Sequence, residues 1–377
     1  MHPVAQPQRR TGRVDTVGVA GVDDILQWKA HARVPGGQRG FVVSQRPDTL
    51  QGQVRVDAGT VPQKVADILG ERMVDAGDPC ALPKARKNAA EIEGSAEAHL
   101  RDGAAIVELL CWLDAQKPGS LTETQVVSEL EARRRTDNAL QDISFETISG
   151  TGPNGAIMHY RVTEETDSTL EDGHLLVLDS GGQYLDGTTD ITRTMAIGTP
   201  SPECIRAFTL VLKGMIAISM ARWPKGLGGR DLDPLARMAL WQNGMDFDHG
   251  TGHGVGVYLS VHEGPQRLSR ASTLPFEPGM ILSNEPGYYA PGHFGIRIEN
   301  LVVVEPAPDL PGGDNRDMLQ FETLTWVPID KRLIDPDLLT TAETTWLNNY
   351  HAKTQELLFD SCSPAARSWL KSACAPL

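Results

Sequence analysis

Glycine alternates with other residues through His249-Gly250-Thr251-Gly252-His253-Gly254-Val255-Gly256. Each interior glycine costs a helix about 1 kcal/mol relative to alanine, so this stretch is a loop or an irregular strand. Its backbone must lie where another chain segment comes close. Residues four apart on an extended chain face the same side, so His249 and His253 point together. A zinc helix of the H-E-x-x-H type is excluded, because Gly250 stands where the glutamate would be. His262 follows in Val261-His262-Glu263-Gly264-Pro265, and three of the ten histidines fall close together. That density argues against three unrelated structural hydrogen-bonders.

Acidic residues sit where strands should end. Leu175-Leu176-Val177-Leu178 reads as an apolar strand closing on Asp179. Asp190 opens the next one, Asp190-Ile191-Thr192-Arg193-Thr194, and Gly181, Gly182 and Gly187 let the chain double back between them. Such a hairpin brings the two aspartates together, where they repel and are costly to desolvate unless a cation joins them. Either aspartate alone would read as a solvated turn acid. Glu285 shares a strand face with Ser283 and Ile281. In Gly295-Ile296-Arg297-Ile298-Glu299-Asn300, Arg297 and Glu299 share one face and Ile296 and Ile298 the other. On its own that strand would be a cross-strand ion pair. Taken together, Asp179, Asp190, His253, Glu285 and Glu299 form an oxygen-rich donor set suited to manganese, cobalt, zinc or magnesium. Four negative charges balance two dications, which points to a dinuclear centre.

Composition narrows the partners. The 377 residues carry 35 Lys and Arg against 49 Asp and Glu, a net charge of −14, which disfavours nucleic acid. No window approaches the ~18 apolar residues of a membrane span, and the first ten residues lack the apolar core of a secretory signal. The five cysteines, Cys80, Cys111, Cys204, Cys362 and Cys374, are widely spaced without C-x-x-C, so neither a disulfide framework nor a zinc-thiolate site is expected. A cytoplasmic location follows as the expectation.

Residues 1–50 show weak periodicity and are left unassigned, with disorder as the default. Residues 51–80 read as a strand at Val54–Val56, a capping box Thr60-Val61-Pro62-Gln63, and a helix through Val65, Ile68, Leu69 and Met73. Further helices are expected over 91–116, from a capping box at Ser120-Leu121-Thr122-Glu123 through Leu130, over 206–221 and 232–242, and after Pro336. Strands are expected at 175–178, 191–197, 280–284 and 296–304. The pattern is α+β, with antiparallel strands and helices on one side.

The five donors and their flanks resemble the metallopeptidases of the pita-bread (creatinase/aminopeptidase) fold, a group that includes methionine aminopeptidase, prolidase and aminopeptidase P. Within that family the strings are most similar to the long cytosolic aminopeptidase P (Xaa-Pro aminopeptidase) type. They are Gly152-Pro153-Asn154-Gly155-Ala156-Ile157-Met158-His159-Tyr160, Asp186-Gly187-Thr188-Thr189-Asp190-Ile191-Thr192-Arg193-Thr194, His249 to Gly256, Val261 to Pro265, Asn284-Glu285-Pro286-Gly287-Tyr288-Tyr289, and Gly295 to Asn300. The likeness runs from about Asp78 to the C-terminus. It implies an antiparallel curved sheet with helices outside, a pita-bread catalytic domain over 81–317 and a helical C-terminal extension over 318–377. Residues 51–80 would be the remnant of a creatinase-type N-terminal domain, a truncated α/β segment.

The resemblance also implies roles. Asp179 would hold one metal, His253 and Glu285 the other, and Asp190 and Glu299 would bridge them. Manganese is the expected ion, with cobalt and zinc as alternatives. A hydroxide between the metals would attack the bond before proline, and Glu285 would shuttle its proton to the leaving nitrogen. His159 and His262 would surround the reacting carbonyl, and His249, Tyr289 and Arg297 would shape a proline pocket. The implied partners are peptides with proline in the second position, and a homodimer is left open. A prolidase-type dipeptidase is the alternative. A non-catalytic peptide-binding relative, or a metal-free one such as creatinase, is disfavoured because all five donors are present.

Overall fold

The computed structural model describes residues 52–136 and 138–377, so the expectation for residues 1–50 lies outside the described residues. The chain divides after Pro79 into two units. In the first, Val54–Val56 pairs in parallel with Met73–Asp75, and the helix Gln63–Leu69 makes the crossover. Two details differ from expectation. Gln63 is already the first helical residue, so it cannot close a box on Thr60, and Pro62 precedes it without a side-chain cap. Met73 opens a strand rather than ending the helix, because Gly70 breaks it with φ +52°.

The second unit, Cys80–Leu377, is built from antiparallel strands and helices. The long helix Ala89–Asp114 starts at a capping box, with Glu91 N–H donating to Asn88 Oδ1 at 3.0 Å and Asn88 N–H to Glu91 Oε2 at 2.9 Å. The helix Glu123–Arg134 begins later than the sequence suggested. Leu121 and Thr122 are held extended, since Leu170 N–H donates to Leu121 O and Thr122 bridges to Thr169. Thr122 therefore caps the helix with Gln125. Glu123 is instead buried, accepting from Thr151 N–H at 2.7 Å and the Tyr160 hydroxyl at 2.8 Å.

Two of its sheets position the acids. Ile148–Thr151, Leu175–Ser180 and Ile191–Ala196 form one, with Asp179 opposite Thr192. Ile281–Asn284, Asn300–Pro306, Met318–Thr323 and Arg222–Pro224 form another. Gly287–Ala290 pairs with Phe294–Arg297. The strand expected over 296–304 is thus divided at Ile298 and Glu299. The reason is a seam between sheets: Glu299 N–H donates to Thr192 O at 3.1 Å, and the Thr194 hydroxyl bonds both N–H and O of Arg297. This seam sets the acid-bearing strand ends against one another.

Alternation decides which face is dry. Ile296 and Ile298 pack under the helix Pro202–Ser219 with Phe208, Val211, Leu212 and Met215, so Arg297 and Glu299 face away from that core. The helix Thr341–Leu358, near the C-terminus, grips the same seam. Buried Arg193 donates to Glu299 O at 2.5 Å, Asn300 Oδ1 at 2.8 Å, Val327 O at 2.8 Å and the Tyr350 hydroxyl at 2.9 Å. Among the described residues no helix is long and apolar enough to cross a membrane.

His351, next to Tyr350, is fully buried, and its Nε2 accepts from Ile329 N–H at 3.0 Å. Burial, with Lys331 and Arg193 adding to it, pushes its pKa down to about 3. The unfolded chain should titrate near 6.5, so the folded state binds fewer protons in between. Stability from this group is complete above that unfolded value and is lost as pH falls toward 3. Urea denaturation at pH 7, 5.5 and 4 should show a loss of up to about 1.4 kcal/mol per pH unit from His351. His351→Gln, which can still accept the bond, should flatten that dependence; parallel curves for the two proteins would refute this account.

Candidate metal centre

Five candidate donors and three further candidate side chains, His159, His249 and His262, line one cavity of about 650 Å³ together with Arg297. Asp179 stands near the end of Leu175–Ser180, Asp190 just before Ile191–Ala196, and Glu299 in the seam. Glu285 follows Ile281–Asn284, and His253 ends the short strand Gly252–His253. One ligand atom from each of Asp190, His253 and Glu299 lies within 4.8 Å of the others. His253 Nε2 is 3.4 Å from both Asp190 Oδ2 and Glu285 Oε1.

The glycines of 249–256 make this approach possible. A Cβ on Gly252 would lie 1.9 Å from Ser283 O, and one on Gly254 would lie 2.1 Å from Glu263 O. Backbone therefore packs directly on backbone, and His253 reaches the carboxylates. Its Nδ1–H donates to Gly254 O at 2.9 Å, which orients the ring and turns Nε2 toward the acids. Ser283 ties two donors together, accepting from His253 N–H at 2.9 Å and donating to Glu285 Oε1 at 3.0 Å. The Thr192 hydroxyl donates to Glu299 Oε2 at 2.7 Å.

Electrostatics shows what the cluster lacks. Burial pushes Glu285 up to about 7 despite His253 and Arg297. Burial, then the charges of Asp190, Glu285 and Asp179, drive Glu299 well above the usual carboxylate range. Burial opposes a charge on His253, yet Asp190 and Glu285 hold its pKa at about 9. Asp179 Oδ2 accepts from Arg297 Nη2 at 2.5 Å, while its buried Oδ1 has no partner. An orphaned carboxylate oxygen, a shared donor distance of a few ångströms and an oxygen-rich set fit divalent cations.

His249 lines the cavity as a neutral side chain, while Tyr289, bonded to it, is not among the lining residues. The His249 Nδ1–H donates to Gly250 O at 2.7 Å, and burial lowers its pKa to about 4. Its Nε2 therefore accepts from the Tyr289 hydroxyl at 3.0 Å, and that hydroxyl accepts from Arg297 Nη1 at 2.7 Å. His249, Tyr289 and Arg297 so form one bonded array ending on Asp179. His262 packs edge-on against His253, ring centroids 4.2 Å apart. His159 and His262 are both exposed while lining the cavity.

Sequence reasoning missed the side chains that hold the glycine-rich segment. Arg237 donates to Phe247 O at 2.6 Å and His249 O at 2.7 Å, and Asp233 accepts from Arg237 and from the Thr251 hydroxyl at 2.8 Å. The available signal was an acid and a base four residues apart in a helix otherwise read for its apolar stripe. Ser283 and Thr192 were also missed, though Ser283 had been placed on the face of Glu285.

The chain matches the model of metallopeptidase family M24 over residues 93–306 and that of the C-terminal region of peptidase M24 over residues 317–377. It is 43% identical over 324 residues to aminopeptidase P1 of Lotus japonicus, covering 79% of this chain and 49% of that protein. The chain spans about half the length of the curated relatives it matches. A solved X-prolyl aminopeptidase from Caenorhabditis elegans, described as a cytosolic enzyme with a di-nuclear active site, matches with TM-score 0.80 and 37% identity over 86% of this chain and 54% of that one. A solved Xaa-Pro dipeptidase from Bacillus anthracis matches with TM-score 0.62 and 28% identity, covering 74% of each chain.

Titration calorimetry should find manganese binding to the metal-free protein, and Asp190→Asn should weaken it at least about tenfold. Equal affinity in the variant would remove this cluster as the metal site.

Proposed function

The chain belongs to metallopeptidase family M24, and from that premise we propose a dinuclear metal-dependent aminopeptidase that cleaves the peptide bond preceding a second-position proline. The supporting observation is the convergence of Asp179, Asp190, His253, Glu285 and Glu299 on one cavity that His249 also lines, with Tyr289 bonded to His249. In this reading Asp179 would hold one cation, His253 and Glu285 would hold the other, and Asp190 and Glu299 would serve both. Two divalent cations, manganese foremost, would polarise the scissile carbonyl and acidify a water.

The protein groups do the rest. Glu285, oriented by the Ser283 hydroxyl, takes a proton from the attacking water and delivers it to the proline nitrogen. That nitrogen is tertiary and leaves poorly unless protonated. His159 and His262 donate hydrogen bonds to the carbonyl oxygen as charge develops on it. His249 and Tyr289 give the pyrrolidine ring a flat, uncharged surface, and Arg297 keeps Asp179 and Tyr289 in register. In this reading residues 81–317 form the catalytic domain, 318–377 an extension of it, and 51–80 belong to a separate N-terminal unit. The proposal also includes a cytoplasmic location and leaves a homodimer open. The likeness to a solved Xaa-Pro dipeptidase supports a second reading, a prolidase-type dipeptidase.

Peptide length separates the two. With manganese, the purified chain should release arginine from Arg-Pro-Pro, and a chelator should abolish turnover. Hydrolysis of Gly-Pro but not of Arg-Pro-Pro would favour the dipeptidase. Asp190→Asn should lower kcat/KM by more than about 100-fold, and turnover retained in that variant would overturn both readings.

A further inference from the structure

Behind the connection that joins Asp179 to Asp190 lies an ion pair whose two side chains are completely buried. Arg134, from the helix Glu123–Arg134, donates Nε–H to Asp102 Oδ1 at 2.5 Å and Nη2–H to Asp102 Oδ2 at 3.0 Å. Asp102 comes from the helix Ala89–Asp114. A buried pair of this kind is weak evidence for stability, because desolvating two charges offsets most of their attraction. Its contacts suggest another use. Arg134 Nη2 also donates to the Ser180 hydroxyl at 3.0 Å, and the Thr189 hydroxyl donates to Asp102 Oδ2. Tyr184, inside the same connection, donates to Asp102 Oδ1 at 3.3 Å.

The positions matter. Ser180 immediately follows Asp179 and Thr189 immediately precedes Asp190. Both are fully buried, as is Tyr184 to within 1%. Successive residues on an extended chain face opposite ways. Ser180, held from behind by Arg134, therefore leaves Asp179 facing the cavity. The Thr189 hydroxyl is further fixed by Gly182 N–H at 2.8 Å, which closes the base of the connection on itself. One ion pair thus grips the residue next to each aspartate, on the side away from the cavity.

We propose that Asp102 and Arg134 are positioning residues for the metal centre, setting the separation of the Asp179 and Asp190 carboxylates through Ser180 and Thr189. The inference rests on the reading of the cavity as a metal site. Outer groups that orient metal ligands commonly change affinity by about 10–100-fold when removed. A pair serving only the fold would move stability and leave affinity alone.

The test uses the full chain and manganese alone, with affinity read by calorimetry and the thermal midpoint of the metal-free protein read by circular dichroism. Thr189→Val and Ser180→Ala cut the links to the aspartates while leaving the ion pair in place. Each should weaken manganese binding about tenfold, and Thr189→Ser, which restores the hydroxyl, should bind like the parent protein. Asp102→Asn should show the same loss; should it not fold, the two hydroxyl variants decide alone. Parent-like affinity in both Thr189→Val and Ser180→Ala would overturn the proposal, whatever their midpoints. Failure of the underlying reading looks different: the parent protein would not bind manganese, or Asp190→Asn would bind it equally well.

Discussion

Four carboxylates share one buried cavity, and their mutual repulsion is the condition the rest of the structure answers. Among Asp179, Asp190, Glu285 and Glu299, Arg297 is bonded to Asp179 alone, and His253 approaches Asp190 and Glu285. Burial in a low-dielectric site raises the cost of each uncompensated charge by several kcal/mol. A flexible scaffold would relieve that cost by letting the acids drift apart. These acids cannot drift, because each is fixed at a strand end or in the seam between strands. In the proposed reading divalent cations would relieve strain of this kind, so rigidity of the backbone and affinity for metal would be two aspects of one arrangement.

The rigidity has identifiable sources. Thr192 and Glu299, joined backbone to backbone, and Thr194 with Arg297, lock the two strand systems together. Arg193 then ties that seam to Val327, Pro328 and the Tyr350 hydroxyl. The helix Thr341–Leu358 is thereby bound to the strand Ile191–Ala196, which Asp190 immediately precedes. A C-terminal region so connected is a brace for the centre, not an appendage. On the opposite side, Arg237 and Asp233 pin the glycine-rich segment through its carbonyls and Thr251, which leaves the His249 and His253 rings free to face inward.

Much of this was legible in residue spacing, and the losses have a common cause. The acid-bearing hairpin was readable because glycines between Asp179 and Asp190 permit only a return of the chain. The shared face of Glu285 and Ser283 followed from a period of two. Helix starts were less secure: at Thr122 a pairing with Thr169 overrode the local capping signal, and at Gln63 the helix began too late for Thr60 to serve. The division at Ile298 and Glu299 was invisible, because its cause is a partner strand more than a hundred residues away. The Asp102–Arg134 pair was hidden for the same reason. Local pattern reveals elements and faces; it does not reveal which distant side chain holds them still.

The cavity owes its two-sided character to the hydrogens of one short array. The carbonyl of Gly250 can only accept, so His249 must carry its proton on Nδ1. Its Nε2 must then accept, which makes Tyr289 the donor, and the Tyr289 oxygen is left to receive Arg297. Arg297 also donates Nη2–H to Asp179. Every proton in the array is thus assigned by one backbone carbonyl, and the wall presents a neutral imidazole and a neutral phenol. The same cavity holds the four carboxylates. In the proposed reaction an apolar five-membered ring belongs against the first and a polarised carbonyl over the second, so the orientation of a bound peptide follows from the contrast between the surfaces. A protonated His249 would reverse the bond to Tyr289, place a second cation beside Arg297 and erase that contrast. The depressed pKa of His249 is therefore part of the site's selectivity in this reading, not an incidental effect of burial.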